Sequence, residues 1–189
     1  MELVLVHPEI PHNTGCAARL AAALDLRLHL VEPLGFSLED RYLKRAGLDY
    51  WPMVDLHVHP DWPSLVAHLE CEGGRPLGER LRLFTSNGGT SLFEVPFAED
   101  EVLVFGAESA GLPAGLLDEH STRRVYVPIR REVRSLNLAN VVCLGAYTAM
   151  HASGMSLPDN DGSHVRHPRA DEGIQPTAVA HRHGPEAGA

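Results

Sequence analysis

The chain has 189 residues, of which 44% are hydrophobic and 6% aromatic, as is ordinary for a soluble protein with one globular domain. Its formal net charge of −9 argues against a protein that binds nucleic acid through its overall charge. No apolar run approaches the roughly 20 residues of a membrane span, the first residues do not resemble a secretory signal, and three cysteines without a CxxC pair indicate neither a disulfide framework nor a zinc site. We therefore expect a cytoplasmic protein that uses neither a membrane nor a metal.

Short apolar runs alternate with helical patterns up to about residue 150. This alternation is typical of an α/β domain whose mostly parallel sheet is flanked by helices. The predicted strands cover residues 3–6, 28–31, 53–56, 81–85, 102–105 and 125–127. The predicted helices begin at polar side chains that can cap free backbone N–H groups, namely Asn13 or Thr14, Ser37, Asp61, and the pair Ser135 and Asn137.

The composition changes after the last predicted helix, at residues 137–150. Residues 151–189 are rich in Gly, Pro, Ala and His and have no sustained apolar period. Such a segment cannot bury enough apolar surface to offset the entropy of ordering it. The sequence therefore predicts a folded domain over residues 1–152 and a disordered tail over residues 153–189.

Polar, glycine-containing segments follow three consecutive predicted strands. They are TSNGG at 85–89, GAESAGLP at 106–113 and PIRREVRSLN at 128–137. Ligands of open α/β sheets bind outside the carboxyl ends of the strands, so these segments predict a pocket. The sequence contains no GxGxxG, GxxxxGK[ST] or GxSxG motif, which argues against a Rossmann dinucleotide site, a P-loop and a hydrolase nucleophile elbow. His57 and His59 are expected to be strand and core residues rather than metal ligands.

Five segments carry a family resemblance. PEIPHNTGCAARL (8–20), HLVEPLGF (29–36), KRAGLDYW (44–51), FGAESAGLP (105–113) and VPIRREVRSLNLANVV (127–142) resemble the SPOUT superfamily of RNA methyltransferases, and within it the TrmL-type enzymes. The resemblance implies an α/β fold with a C-terminal deep trefoil knot, S-adenosyl-L-methionine as methyl donor, and a homodimer that forms the RNA site jointly. The implied reaction transfers a methyl group to the ribose 2′-hydroxyl of nucleotide 34, in the anticodon loop of tRNA.

The resemblance also implies site residues. The cofactor would be bound by Phe84, Thr85, Gly106, Val127, Ser135 and Leu136, with Gly106 allowing the backbone to approach the ligand. The catalytic candidates around the reacting ribose are Asn13, Arg19, Glu108, Ser135 and Asn137. A guanidinium group is effectively always protonated, so Arg19 suits binding of phosphate or of a developing alkoxide better than removal of a proton. The proton would pass to phosphate, water or Glu108.

Two departures keep alternative functions open. Relatives usually have Asn at the position of Cys16 and Ser at that of Ala139, and each change removes a side-chain hydrogen bond. One alternative is methylation of another tRNA or rRNA ribose. The other is a non-catalytic module that binds S-adenosylmethionine or RNA.

Two surfaces are expected to serve assembly and RNA binding. The helix over 137–150 is apolar or small over a wide arc, which favours a dimer interface. Basic residues cluster in three places, at Arg41, Lys44 and Arg45, at Arg123 and Arg124, and at Arg130, Arg131 and Arg134. The first and third clusters would make a locally positive surface for the anticodon arm on an acidic protein.

Overall fold

A computed structural model describes residues 1–38, 51–71 and 74–160 of the chain. Its seven strands form one sheet in the order β3-β2-β1-β6-β4-β7-β5, and every neighbouring pair is parallel. The strands are β1 (Glu2–Val6), β2 (Arg27–Val31), β3 (Leu56–His59), β4 (Leu81–Phe84), β5 (Thr90–Ser91), β6 (Val102–Phe105) and β7 (Arg124–Tyr126). The expected α/β class with a parallel sheet is confirmed.

Five α-helices flank the sheet in the described part of the chain. They are α1 (Pro11–Leu24), α2 (Trp62–Cys71), α3 (Leu77–Arg80), α4 (Ala114–Glu119) and α5 (Leu138–Ser153). Among these residues, no helix combines the length and apolar character that a membrane span requires. The predicted helix that begins at Ser37 and the tail beyond residue 160 lie outside the described residues, except for the first two residues of that helix.

The core follows the two-residue alternation of side chains along the strands. Leu3 and Leu5 of β1 pack on one face of the sheet with α1 and α5, whereas Val4 and Val6 pack on the other face with α2. All four side chains are at most 2% exposed. A strand buried on both faces reads as a continuous apolar run, which explains why LVLV was recognised in the sequence.

One predicted strand and one predicted cap are wrong. The strand predicted over residues 53–56 is misplaced, because residues 51–53 form a 3₁₀ turn and β3 begins only at Leu56. Helix α1 begins at Pro11, so Asn13 and Thr14 lie buried inside its first turn and cap nothing there. Proline suits a first helical position because it lacks the N–H that would be unpaired.

Two other predicted caps are confirmed. Asp61 Oδ1 accepts a hydrogen bond from the backbone N–H of Ser64 at the start of α2. Asn137 is the N-cap of α5, where its side-chain oxygen accepts hydrogen bonds from the N–H groups of Ala139 and Asn140 at 2.9 and 3.4 Å. Asn137 therefore has a structural role at the start of α5.

Four histidines lie together where β2, β3 and α2 meet. The ring of His29 stacks on those of His57 and His59 and meets the edge of His68, with centroid separations of 5.1–5.5 Å. His59 Nε2 and His29 Nδ1 are 3.0 Å apart, and His29 Nε2 is 2.7 Å from a carboxylate oxygen of Glu2. Burial, together with the neighbouring imidazoles, lowers the pKa of His59 to about 4. The expectation that His57 and His59 are strand and core residues is confirmed.

Candidate functional site

A cavity of about 1190 Å³ opens at the carboxyl edge of the sheet. Its wall comes from the segments that follow β4, β6 and β7, together with Ile10 and Asn13 from the start of α1. All of these strands are parallel, so the three segments emerge at the same edge. The pocket predicted from the spacing of the three polar segments is therefore present.

The floor of the cavity is apolar. Phe84 at the end of β4 and Phe105 at the end of β6 stack with ring centroids 4.4 Å apart. Helix α5 passes close beneath them, because a Cβ at Gly145 would lie 2.9 Å from the Phe84 ring. Leu138 and Val141 of the same helix also line the cavity. This floor offers an apolar surface against which a planar ring can pack.

Gly106 is required for a reason that the sequence did not reveal. A Cβ at this position would lie 2.1 Å from the carbonyl carbon of Gly111 and 2.2 Å from the N of Leu112. The segment folds back on itself here, with Ala107 and Gly111 hydrogen-bonded to each other. The loop's own backbone therefore requires glycine at this position, and the expected approach of the Gly106 backbone to a ligand stays a prediction.

A chain of amide and carboxylate side chains crosses one side of the cavity. Asn137 Nδ2 donates a hydrogen bond to Asn13 Oδ1 at 3.0 Å, and Asn13 Nδ2 donates to Glu108 Oε1 at 2.9 Å. Asn13 is 3% exposed, so its amide is held within the protein. The chain joins the N-terminus of α5, the first turn of α1 and the segment after β6.

Glu108 accepts two further hydrogen bonds. Its Oε2 accepts from the backbone N–H of Glu9 at 2.8 Å, and its Oε1 accepts from that of Ile10 at 3.3 Å. Both oxygens therefore already have donors. This arrangement fixes Glu108 as an acceptor that orients Asn13.

Glu9 makes the opposite contact and was missed in the sequence. Its Oε2 accepts a hydrogen bond from the N–H of Ser109 at 2.8 Å, and its Oε1 accepts one from Ser109 Oγ at 2.6 Å. These bonds from Ser109 lower the pKa of the Glu9 carboxyl. The resemblance pointed to Glu108 and gave no reason to single out Glu9.

Most of the predicted site residues line this cavity. The residues expected to bind the cofactor are all in its wall, namely Phe84, Thr85, Gly106, Val127, Ser135 and Leu136. Of the catalytic candidates, Asn13, Glu108, Ser135 and Asn137 are also there. Arg19 is exposed on α1 and is not among the lining residues of its own chain.

The basic clusters differ in their surroundings. Arg130, Arg131 and Arg134 are exposed on the segment after β7 and line the cavity. Arg124 instead donates to the carbonyl oxygen of Leu117 and pairs with Asp118, so it has a structural role. Arg41, Lys44 and Arg45 lie outside the described residues.

No group of three or more His, Cys, Asp or Glu side chains in the described ranges is arranged to hold a metal ion.

A family model matches most of this chain. The SpoU rRNA Methylase family is matched over residues 1–147, which include the sheet, the cavity and most of α5. The match therefore covers every segment that builds the candidate site.

Individual relatives agree with that assignment. The chain is 41% identical over 173 residues to the tRNA (cytidine(34)-2'-O)-methyltransferase of Polaromonas sp., covering 90% of this chain and 98% of the relative. It is 43% identical over 149 residues to the enzyme of the same name from Methylovorus glucosotrophus, covering 78% and 92% of the two chains.

A solved structure described as giving structural insights into the 2-OH methylation of C/U34 on tRNA is 45% identical to this chain. It matches with a TM-score of 0.73, covering 80% of this chain and 94% of the other. Taken with the match to the family model, these similarities show that the chain belongs to the SpoU methylase family.

Proposed function

We propose that the protein transfers a methyl group from S-adenosyl-L-methionine to the ribose 2′-hydroxyl of nucleotide 34 of tRNA. The observation that carries the proposal is the cavity at the sheet edge, where an apolar floor faces the Asn137–Asn13–Glu108 chain. The proposed substrate is that of the similar proteins, which are tRNA (cytidine(34)-2'-O)-methyltransferases. A tRNA substrate would place the protein in the cytoplasm.

The cavity suits this methyl donor together with a nucleotide. Pockets for one small ligand commonly have volumes of about 300–1000 Å³, so about 1190 Å³ leaves room for both. Phe84, Val127 and Leu136 offer apolar surface for an adenine ring, and the backbone of residues 106–111 offers polar groups along the wall. The bound donor supplies a methyl group on a positively charged sulfur.

The polar chain orients the substrate rather than removing its proton. The Asn13 and Asn137 amides are fixed by each other and by Glu108, so they can hold a ribose hydroxyl in line with the methyl group. Glu108 already accepts three hydrogen bonds and is a poor general base. We assign the departing proton to an RNA phosphate or to water.

Charge near the cavity serves RNA binding. Arg130, Arg131 and Arg134 project from the wall that faces solvent, where they can contact phosphates on either side of a flipped nucleotide. Phosphate contacts position the RNA, and the pocket selects the nucleotide. A local positive surface of this kind is compatible with the net charge of −9.

A homodimer would complete the site. Arg19 is exposed on α1, which packs against α5, the helix proposed as the dimer interface. Tyr147 and Cys143 are exposed on α5 and would lie in this dimer interface. In such a dimer Arg19 reaches the cavity of the partner subunit, where it stabilises negative charge on the ribose oxygen. We also propose that the C-terminal part of the domain forms a deep trefoil knot and that the domain ends near residue 152.

The direct test is methyl transfer by the purified full chain. Radiolabelled S-adenosylmethionine and tRNA from a strain without this modification should give labelled 2′-O-methylnucleoside at position 34, mapped after nuclease digestion. Label at another ribose would overturn the choice of substrate. Binding of the methyl donor without any label in tRNA or rRNA would indicate the non-catalytic alternative.

A further inference from the structure

We propose that Glu9 is a positioning residue that holds the segment 107–111 against the cavity and thereby sets the affinity for the methyl donor. This inference rests on the proposed function. Its basis is the pair of reciprocal contacts between residues 9–10 and 108–109, which we call the carboxylate clasp.

The clasp is reciprocal because each segment supplies one carboxylate and the backbone donors for the other. Glu108 accepts from the N–H groups of Glu9 and Ile10, and Glu9 accepts from the N–H and Oγ of Ser109. Residues 9 and 108 are 99 positions apart in sequence, so the clasp joins the segments that leave two neighbouring strands, β1 and β6. Each oxygen of the Glu9 carboxylate thus accepts a hydrogen bond from Ser109.

Ser109 also connects the clasp to the third wall of the cavity. Arg134 Nη2 lies 3.5 Å from the carbonyl oxygen of Ser109. The N–H, hydroxyl and carbonyl groups of this one residue thus face Glu9 on one side and Arg134 on the other. Movement of Ser109 would shift Glu108, its neighbour in the chain, and with it the orientation of Asn13.

The location of the clasp favours a role in binding over one in stability. Glu9 and Ser109 are both exposed, so the clasp lies outside the two buried hydrophobic clusters that stabilise the fold. Residues 106–112 line the cavity directly, so the conformation of this segment decides which backbone groups face the ligand. A segment fixed before binding loses less entropy when the ligand binds.

The first test compares three variants of the full chain with the wild type by calorimetry with S-adenosylmethionine. Glu9→Ala removes both acceptors and should weaken binding about tenfold, as expected for the loss of two charge-assisted hydrogen bonds at an exposed site. Glu9→Gln keeps one carbonyl oxygen for Ser109 and should recover part of that loss. Glu70→Gln, on the exposed face of α2, is the matched control and should bind as the wild type does.

A double-mutant cycle distinguishes the clasp from an unrelated effect of Glu9. Ser109→Ala removes the hydroxyl donor but keeps the backbone one, so it should weaken binding by less than Glu9→Ala does. The combined variant should be no weaker than Glu9→Ala alone, because the hydroxyl has no acceptor left to lose. Additive losses in the combined variant would overturn the proposal.

The dependence on pH gives a readout that a purely structural role would not move. Hydrogen bonds from Ser109 lower the pKa of Glu9, so the donor complex of the wild type should weaken as the pH falls through that lowered pKa. Glu9→Gln, which does not titrate, should lack this decline.

The outcomes separate this inference from the proposed function. If the wild type methylates tRNA and Glu9→Ala binds the donor as tightly as the wild type does, the inference fails and the proposed function stands. If the wild type binds no donor, the proposed function itself fails.

Discussion

Asn137 performs two tasks with the two atoms of one amide. Its oxygen caps α5 and its nitrogen donates to Asn13 in the cavity wall. An asparagine is needed because an aspartate or a serine side chain offers the acceptor without the same amide donor. The two tasks can therefore be separated by substitution.

We expect Asn137→Asp to keep the cap of α5 while methylating tRNA more slowly. The carboxylate still caps α5 and its charge is favourable at a helix N-terminus, but it faces Asn13 Oδ1 with no proton to donate. Asn137→Ala should lose activity and also about 1 kcal/mol of unfolding free energy. Urea unfolding and initial methylation rates measure the two effects. Equal activity of the Asp variant and the wild type would remove Asn137 from the substrate site.

At the residue scale, the sequence predicted the wall of the cavity better than its contacts. Phe84, Val127 and Ser135 were assigned to the cofactor site by resemblance, and all three line the cavity. Glu9 was missed because its partner Ser109 is 100 positions away in sequence. No local pattern reports a contact of that kind. The backbone contact that requires glycine at position 106 was missed for the same reason, since Gly111 comes close only because the loop folds back.

At the scale of elements, the histidine cluster ties the edge strand β3 to β2 and to α2. His29 contacts Glu2 of β1 and His57 contacts Asp55 just before β3, and Arg27 of β2 forms ion pairs with both of these carboxylates. A neutral His59 fits among these rings, whereas a protonated one adds a buried charge beside three other imidazoles. The packing of β3 therefore depends on the protonation of His59.

Stability should fall as the pH drops from about 6.5 toward 4. Unfolded His59 takes up a proton near its ordinary pKa of 6.5, while the folded protein resists protonation down to a pKa of about 4. The unfolded state binds more protons in this window, so acid favours unfolding, by at most about 3 kcal/mol. Urea midpoints between pH 7.5 and 4.5 measure the decline, and His59→Gln should flatten it. The exposed His151→Gln is the control and should leave the slope unchanged.

Two helical glycines should respond in opposite directions to the same substitution. At Gly115 of α4 an added Cβ meets nothing within 4 Å, so Gly115→Ala should stabilise the protein by about 0.5–1 kcal/mol through helix propensity. At Gly145 of α5 the added Cβ meets Phe84 ring atoms at 2.9 and 3.0 Å, so Gly145→Ala should destabilise it by about 1–2 kcal/mol. Thermal unfolding of both variants checks the difference. If Gly145→Ala were as stable as Gly115→Ala, the Phe84 ring would have to move aside without a loss of unfolding free energy.

Among the elements, long apolar runs were predicted well and short or irregular ones poorly. Strands β1 and β6 are buried on both faces, and their continuous apolar sequence is easy to recognise. Strand β5 has only two residues, Thr90 and Ser91, and is defined by its pairing with β7 rather than by its composition. Residues 51–53 form a 3₁₀ turn, and the apolar run that follows them was assigned to a strand three residues too early.

At the scale of the whole molecule, the cavity of one chain lacks Arg19. The dimer proposed above predicts a sedimentation mass of twice 20.6 kDa at micromolar concentration. It also predicts that an Arg19→Ala subunit and an Asn137→Ala subunit complement each other. A mixed dimer would then contain one intact site, in which Arg19 comes from one subunit and Asn137 from the other.

Co-expressed and randomly assorted subunits should therefore recover about one quarter of the wild-type rate, because half of the dimers are mixed and each has one working site. Methylation of tRNA by the co-purified mixture measures the recovery, and each single variant alone is the control. Absence of recovery in dimers shown to be mixed would mean that Arg19 acts within its own chain. A mass near 20.6 kDa would exclude the dimer.

The order of the strands also governs how the chain folds during its synthesis. Strand β1 lies between β2 and β6, and Leu3 pairs in register with both Leu28 and Leu103. One side of β1 thus stays without its neighbour until residue 105 has left the ribosome. At about 5–20 residues per second this interval lasts roughly 5–20 s. Throughout that time an apolar strand edge is open to pairing with other chains, so we expect the newly made protein to be most prone to aggregation before β6 is complete.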